Sequence, residues 1–128
     1  MDEARKWLEF AKTDLGVSRL LLEVYYPQPL EIICYHCQQA AEKAIKSVVL
    51  YHGAPGGLPK KHNLSFLLEQ IKNLEEIPEE YYDYADALTP YGITVRYPDE
   101  LSIQLQHAMK AIDYAEKFVC WAENVIHE

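Results

Sequence analysis

A chain of 128 residues, 49% hydrophobic and 25% charged, is long enough to bury a core of its own without disulfides or a metal to hold it. Its 20 acidic against 12 basic residues give a net charge of −8, which argues against a broad nucleic-acid-coating surface and leaves room for a small basic site. The opening residues, MDEARKWLEFAK, contain no apolar run, and no segment is apolar enough to span a bilayer. Neither a signal peptide nor a membrane anchor is therefore expected, and the chain reads as cytoplasmic.

In chain order, Asp2 to Tyr26 reads as a first helix, with Trp7, Ala11, Ser18, Leu21, Leu22 and Tyr25 recurring at three- and four-residue spacing. Pro27 and Pro29 bracket a break, because proline cannot continue a helix interior. A second helix is expected from about Leu30 to His52, its apolar face made of Ile33, Cys37, Ala40, Ala41, Ala44 and Val48. The alanines there permit close approach of a neighbouring helix. The run GAPGGLPKK is a loop by its glycines and prolines, and Asn63 is a good N-cap for a third helix through Leu64, Leu67, Leu68 and Ile71. Pro78 opens a shorter fourth helix. TPYGITVRYPDE is irregular, and a last helix is expected from Asp99 to near Ile126, its stripe running through Leu101, Leu105, Ala108, Ile112, Ala115, Val119, Ala122 and Ile126. No period-two alternation and no internal repeat is present. Amphipathic helices joined by short loops must bury their stripes against one another. The expected fold is therefore all-α, an antiparallel up-and-down bundle of four to five helices in one domain over residues 1–128.

The string Cys34-Tyr35-His36-Cys37 resembles half of a metal site, but a structural zinc site commonly needs a second pair of ligands. Cys120 stands alone in the last helix. A redox pair should follow a strand, and none is expected here. The two cysteines fall on the apolar face and read as small core residues. No metal or cofactor is expected. His36 lies at the edge of that face, on the line of Ala40, Lys43 and Ser47. Asp14 sits within the apolar stripe of the first helix, where a carboxylate must be paired or hydrogen-bonded, and Lys43 or His36 on the next helix is the natural partner. Such a group is either a structural polar pair that sets helix register or a site between helices, and the residues alone leave both open.

The segment CYHCQQAAEKAIKSVV resembles the second-helix signature of HEPN (higher eukaryote and prokaryote nucleotide-binding) domains. In order along the chain, AKTDLGVSRLLL, KKHNLSFLL and LTPYGITVRYPDE are similar to further elements of the same family, so the resemblance spans most of the sequence. It implies an all-α bundle that commonly forms a homodimer, associates with nucleotides or RNA, and in small prokaryotic members works beside a minimal nucleotidyltransferase, some such pairs being toxin and antitoxin. Many HEPN domains are metal-independent ribonucleases carrying an Arg, four to six residues, then a His near the start of the last long helix. Here Arg96 is well placed, but Leu101, Ser102 and Ile103 stand where that His would fall. His107 is expected to lie more than two turns into the helix, too far along.

Several other residues carry phosphate chemistry. Lys60, Lys61 and His62 precede the Asn63 cap, Arg96 has a guanidinium that binds phosphate in a fork, and Tyr97 beside it has a ring on which a base can stack. Tyr81, Tyr82, Tyr84, Tyr91 and Tyr97 crowd together, as suits an interface, a core or a groove. The candidate site is thus Asp14, His36, Lys43, Lys61, His62, Arg96 and Tyr97. The expected role is binding nucleotide or RNA phosphate with a nucleotidyltransferase partner. The alternatives are a ribonuclease with a relocated catalytic histidine, drawn from His36 or His62, and a scaffold without a ligand.

Overall fold

The computed structural model describes residues 2–53, 63–92 and 103–127. Helix α1 spans Glu3–Val24, and the Asp2 carboxylate caps it by accepting the Arg5 N–H at 2.8 Å. Helix α2 spans Leu30–Tyr51, beginning directly after Pro29. Helix α3, Leu64–Glu69, is capped as its sequence requires, the Asn63 side chain accepting the Phe66 N–H at 3.1 Å. Helix α4, Glu80–Leu88, runs on into a 3₁₀ turn over Thr89–Gly92, and helix α5 spans Leu105–Ile126. Among the described residues every regular element is a helix, in keeping with the expected all-α bundle.

Helix α2 is the centre of the bundle, packed along its length against α1 on one side and α5 on another. Its burial therefore goes well beyond one stripe: besides Ile33, Cys37, Ala40, Ala41, Ala44 and Val48, it buries Cys34, Ile45 and Val49. The run of alanines explains how two long helices reach the same central helix, since a methyl group sets a short interaxial distance. Lys12 pairs with Glu123 at 3.0 Å, and Arg19, further along α1, pairs with Glu116, earlier in α5. The two helices therefore run antiparallel. Helices α3 and α4 pack on each other and cover the remaining sides of α2 and α5.

Three expectations need correction. The buried stripe of α1 is Ala4, Leu8, Ala11, Leu15 and Ser18, whereas Leu21 and Leu22 are only half-buried and Tyr25 is exposed. Tyr25 lies past the last helical turn and has no neighbouring helix to meet. Helix α5 begins at Leu105 rather than Asp99, Gln104 is its extended N-cap residue, and Leu105 is exposed. A second buried row, Ala111, Phe118, Trp121 and Val125, adds the aromatic side chains that the expected stripe lacked. His107 consequently sits in the first turn of α5, not deep within it, and its Nδ1 accepts the Gln104 backbone N–H at 2.9 Å. The ring caps the helix, and this accounts for its position.

Tyr81, Tyr82, Tyr84, Tyr91 and Tyr114 pack against the core. Tyr84 stacks on Tyr114 with ring centres 4.5 Å apart, and Tyr81 meets Phe118 edge-on at 5.2 Å, so α4 is held to α5 through aromatic faces. Cys34 and Cys37 are fully buried, and burial pushes both thiols up to about 12, opposed at Cys37 by a hydrogen bond with Ser18. Cys120 is exposed, and there too partial burial leads the causes that raise the thiol. A thiol reagent at mildly alkaline pH should therefore modify Cys120 in the native protein, and Cys34 and Cys37 only after unfolding. Rapid modification of all three without denaturant would contradict the packing of α2.

Candidate functional site on the seam between the first two helices

Asp14 occupies the α1 face turned toward α2, between Ala11, Leu15 and Ser18, and is 8% exposed. On α2, His36 and Lys43 are seven residues apart, two turns along one face. The single carboxylate answers both. Its Oδ1 lies 2.9 Å from His36 Nδ1, and its Oδ2 accepts from Lys43 Nζ at 2.6 Å. Sequence reasoning named two possible partners for Asp14, and it has both. The site is partly open, the His36 and Lys43 side chains being about a quarter exposed.

The chemistry follows from the geometry. With Nδ1–H donated to Asp14, the neutral imidazole presents Nε2 as an acceptor, and that atom has no hydrogen-bond partner among the described residues. The same ring, once protonated, presents Nε2–H to an anion. Lys43 supplies a fixed positive charge beside it, and Asp14 holds both groups in place. His36 also meets Tyr35 edge-on, which restricts the ring further.

A second polar network runs beside the first on α2 and was missed by sequence reasoning as a unit. The Gln38 amide donates to Glu42 Oε1 at 3.0 Å, Lys46 Nζ donates to Glu42 Oε2 at 2.8 Å, and the Lys46 ammonium lies 5.7 Å from the centre of the Trp7 ring. All three side chains are buried, Gln38 completely. Gly92 of the 3₁₀ turn comes so close to Gln38 that a Cβ would stand 2.8 Å from its amide carbon, so this position takes no side chain without displacement of the amide. The available signal was the four-residue spacing of Gln38, Glu42 and Lys46, which puts an amide, a carboxylate and an ammonium on one line of the helix.

Of the seven residues expected to form the site, Asp14, His36 and Lys43 come together, whereas Lys61, His62, Arg96 and Tyr97 lie outside the described residues. A separate recess lies elsewhere. It measures about 660 Å³ against α3 and α4 and is lined by Glu69, Glu79, Glu80, Tyr82 and Asp83, a wall that repels phosphate. Among the described residues, no three His, Cys, Asp or Glu side chains are grouped to hold a metal ion, and no helix is long and apolar enough to cross a membrane.

An all-helical bundle with a partly open Asp–His–Lys cluster between its first two helices is the class these features define. The family model of the HEPN domain matches residues 4–125, and the chain belongs to that family. It is 25% identical to the protein named "Putative toxin MJ1304" of Methanocaldococcus jannaschii, over 96% of this chain and 83% of that one. Among solved structures it is similar to TT1696 from Thermus thermophilus (TM-score 0.82, 29% identity, 98% of this chain and 99% of that one). It is also similar to ST0689, an archaeal HEPN homologue (TM-score 0.73, 25% identity, the same coverage).

Removing the carboxylate strands two groups at once. Asp14→Ala should destabilise the fold by about 1–3 kcal/mol in denaturant unfolding, and Asp14→Asn, which can keep one hydrogen bond, by less. Equal stability of Asp14→Ala and wild type would show that the cluster has no part in joining α1 to α2.

Proposed function

We propose that this HEPN protein binds a nucleotide or RNA phosphate on the α1–α2 seam, with Lys43 and protonated His36 facing the phosphate and Asp14 orienting them. The single observation that carries this reading is the shared carboxylate, which holds a lysine and a histidine side by side at a partly open surface. Lys61, His62, Arg96 and Tyr97 extend the site by sequence, Lys61 and Arg96 as phosphate ligands and Tyr97 as a ring to stack or pack. In this reading the protein acts in the cytoplasm as a homodimer, together with a minimal nucleotidyltransferase, in a toxin–antitoxin-like module. The relative named as a toxin supports that direction.

A second reading is favoured by the 2.9 Å contact between Asp14 and His36. A carboxylate that fixes Nδ1–H leaves Nε2 free to take the proton of a ribose 2′-hydroxyl. The 2′-oxygen would then attack the neighbouring phosphorus. The bond to the 5′-oxygen breaks, that oxygen is protonated by the imidazolium or by water, and a 2′,3′-cyclic phosphate remains. No metal is needed for this sequence of proton transfers.

Both readings are tested with purified protein, short single-stranded RNA and mononucleotides, in the presence of a chelator. Calorimetric titration should show binding that His36→Ala and Lys43→Ala each weaken about tenfold, the loss of one charge-assisted contact. No heat at millimolar nucleotide or RNA would overturn the binding reading. Cleavage by wild type that His36→Ala abolishes establishes the ribonuclease, and intact RNA after prolonged incubation removes it.

A further inference from the structure

The α1 side of the seam carries more than Asp14. At 3.6 residues per turn, Trp7, Phe10 and Asp14 fall within about 60° of arc on α1, and Trp7 lies about 10 Å from Asp14 along the axis. On α2, His36 and Lys43 likewise share one stripe, and Lys46 stands on the adjoining line, less than a quarter turn away. The two stripes face each other, as the Asp14 contacts and the Lys46–Trp7 contact show. Two aromatic rings thus continue the line of the Asp14–His36–Lys43 cluster.

The two rings stand apart from the buried stripe of α1. The core of α1 is built without them, from Ala4, Leu8, Ala11 and Leu15. Phe10 is 54% exposed, and Trp7 is half-buried. They meet edge-on, ring centres 6.2 Å apart and planes at 79°. The Lys46 ammonium, itself held by Glu42, sits over the Trp7 ring and fixes it. A ring already immobilised in this way loses little further freedom when a flat ligand settles on it.

We infer that Trp7 and Phe10 form a nucleobase-stacking platform, so that the seam takes a nucleotide or single-stranded RNA with its phosphate at His36 and Lys43 and its base on the aromatic pair. This inference rests on the phosphate reading above and adds the base. The occupant follows from the neighbours. A half-buried and an exposed aromatic ring next to a cluster bearing a lysine and a histidine match a molecule with one flat apolar part and one anionic part, and stacking accepts any base because each presents a π face. Recognition would then be sequence-tolerant, with phosphate contacts setting position.

Tryptophan fluorescence tests this directly, since Trp7 and Trp121 are the two indoles in the chain and Trp121 is buried in the core. Adenosine monophosphate and a short single-stranded RNA should quench part of the emission, whereas inorganic phosphate should not. Trp7→Phe should remove the quenching. Phe10→Ala, at an exposed position where the helix is expected to persist and circular dichroism checks it, should weaken nucleotide binding about tenfold while leaving affinity for inorganic phosphate unchanged. Tighter binding of RNA than of the mononucleotide would assign the platform to a polymer, and equal binding to a free nucleotide. Phosphate and nucleotide binding that depends on His36 and Lys43 but not on Phe10, without quenching, would overturn the platform and leave the phosphate site standing. Self-association that Phe10→Ala abolishes, with nucleotide affinity unchanged, would equally overturn it and reassign the rings to an interface between copies. No binding of phosphate or nucleotide at all would overturn both.

Discussion

A carboxylate placed in the apolar stripe of α1 is the constraint around which the first two helices are arranged. Taking Asp14 out of water is costly unless both of its oxygens are answered, and the two groups that answer them sit two turns apart on α2. Sliding α1 along α2 by one turn would break both contacts together, which makes the cluster a register lock as well as a chemical group. The structural and functional readings of Asp14 are therefore not rivals. The pairing that makes the burial tolerable is also what orients an imidazole and an ammonium at the surface.

The central helix carries this arrangement because it is enclosed. Helix α2 meets α1 and α5 along its length and α3, α4 and the Thr89–Gly92 turn over part of it. Two polar lines run through that enclosure. His36 and Lys43 lead to the seam, while Gln38, Glu42 and Lys46 stay buried and hydrogen-bonded along the helix. The close approach of Gly92 to Gln38 ties the turn after α4 to the buried line, so the start of the segment leading to α5 is anchored on the helix that also bears the candidate site.

His107 shows how helix boundaries alter chemical inference. With a start at Asp99 it would lie well inside α5. With the observed start at Leu105 it lies in the first turn, where its Nδ1 satisfies a backbone N–H. Leu101 and its neighbours carry apolar periodicity that extends the apparent stripe backward, but Gln104 adopts an extended conformation and the helix begins after it. Periodicity reports which residues share a face once a helix exists, and says less about where the backbone begins to turn.

The sequence by itself determined the order of the described helices, the Asn63 cap, the apolar face of α2 and the core placement of its cysteines, because each of these depends on residues within a few positions of one another. It also marked Asp14 as needing a partner and offered His36 and Lys43, since a charge in an apolar stripe is conspicuous in one dimension. Only the tertiary structure decided that one carboxylate serves both, that Leu8 and Leu15 rather than Tyr25 face the core, and that Lys46 reaches across to Trp7. Those outcomes depend on which helix lies opposite and at what height, and in this bundle the packing of α1 against α2 sets both.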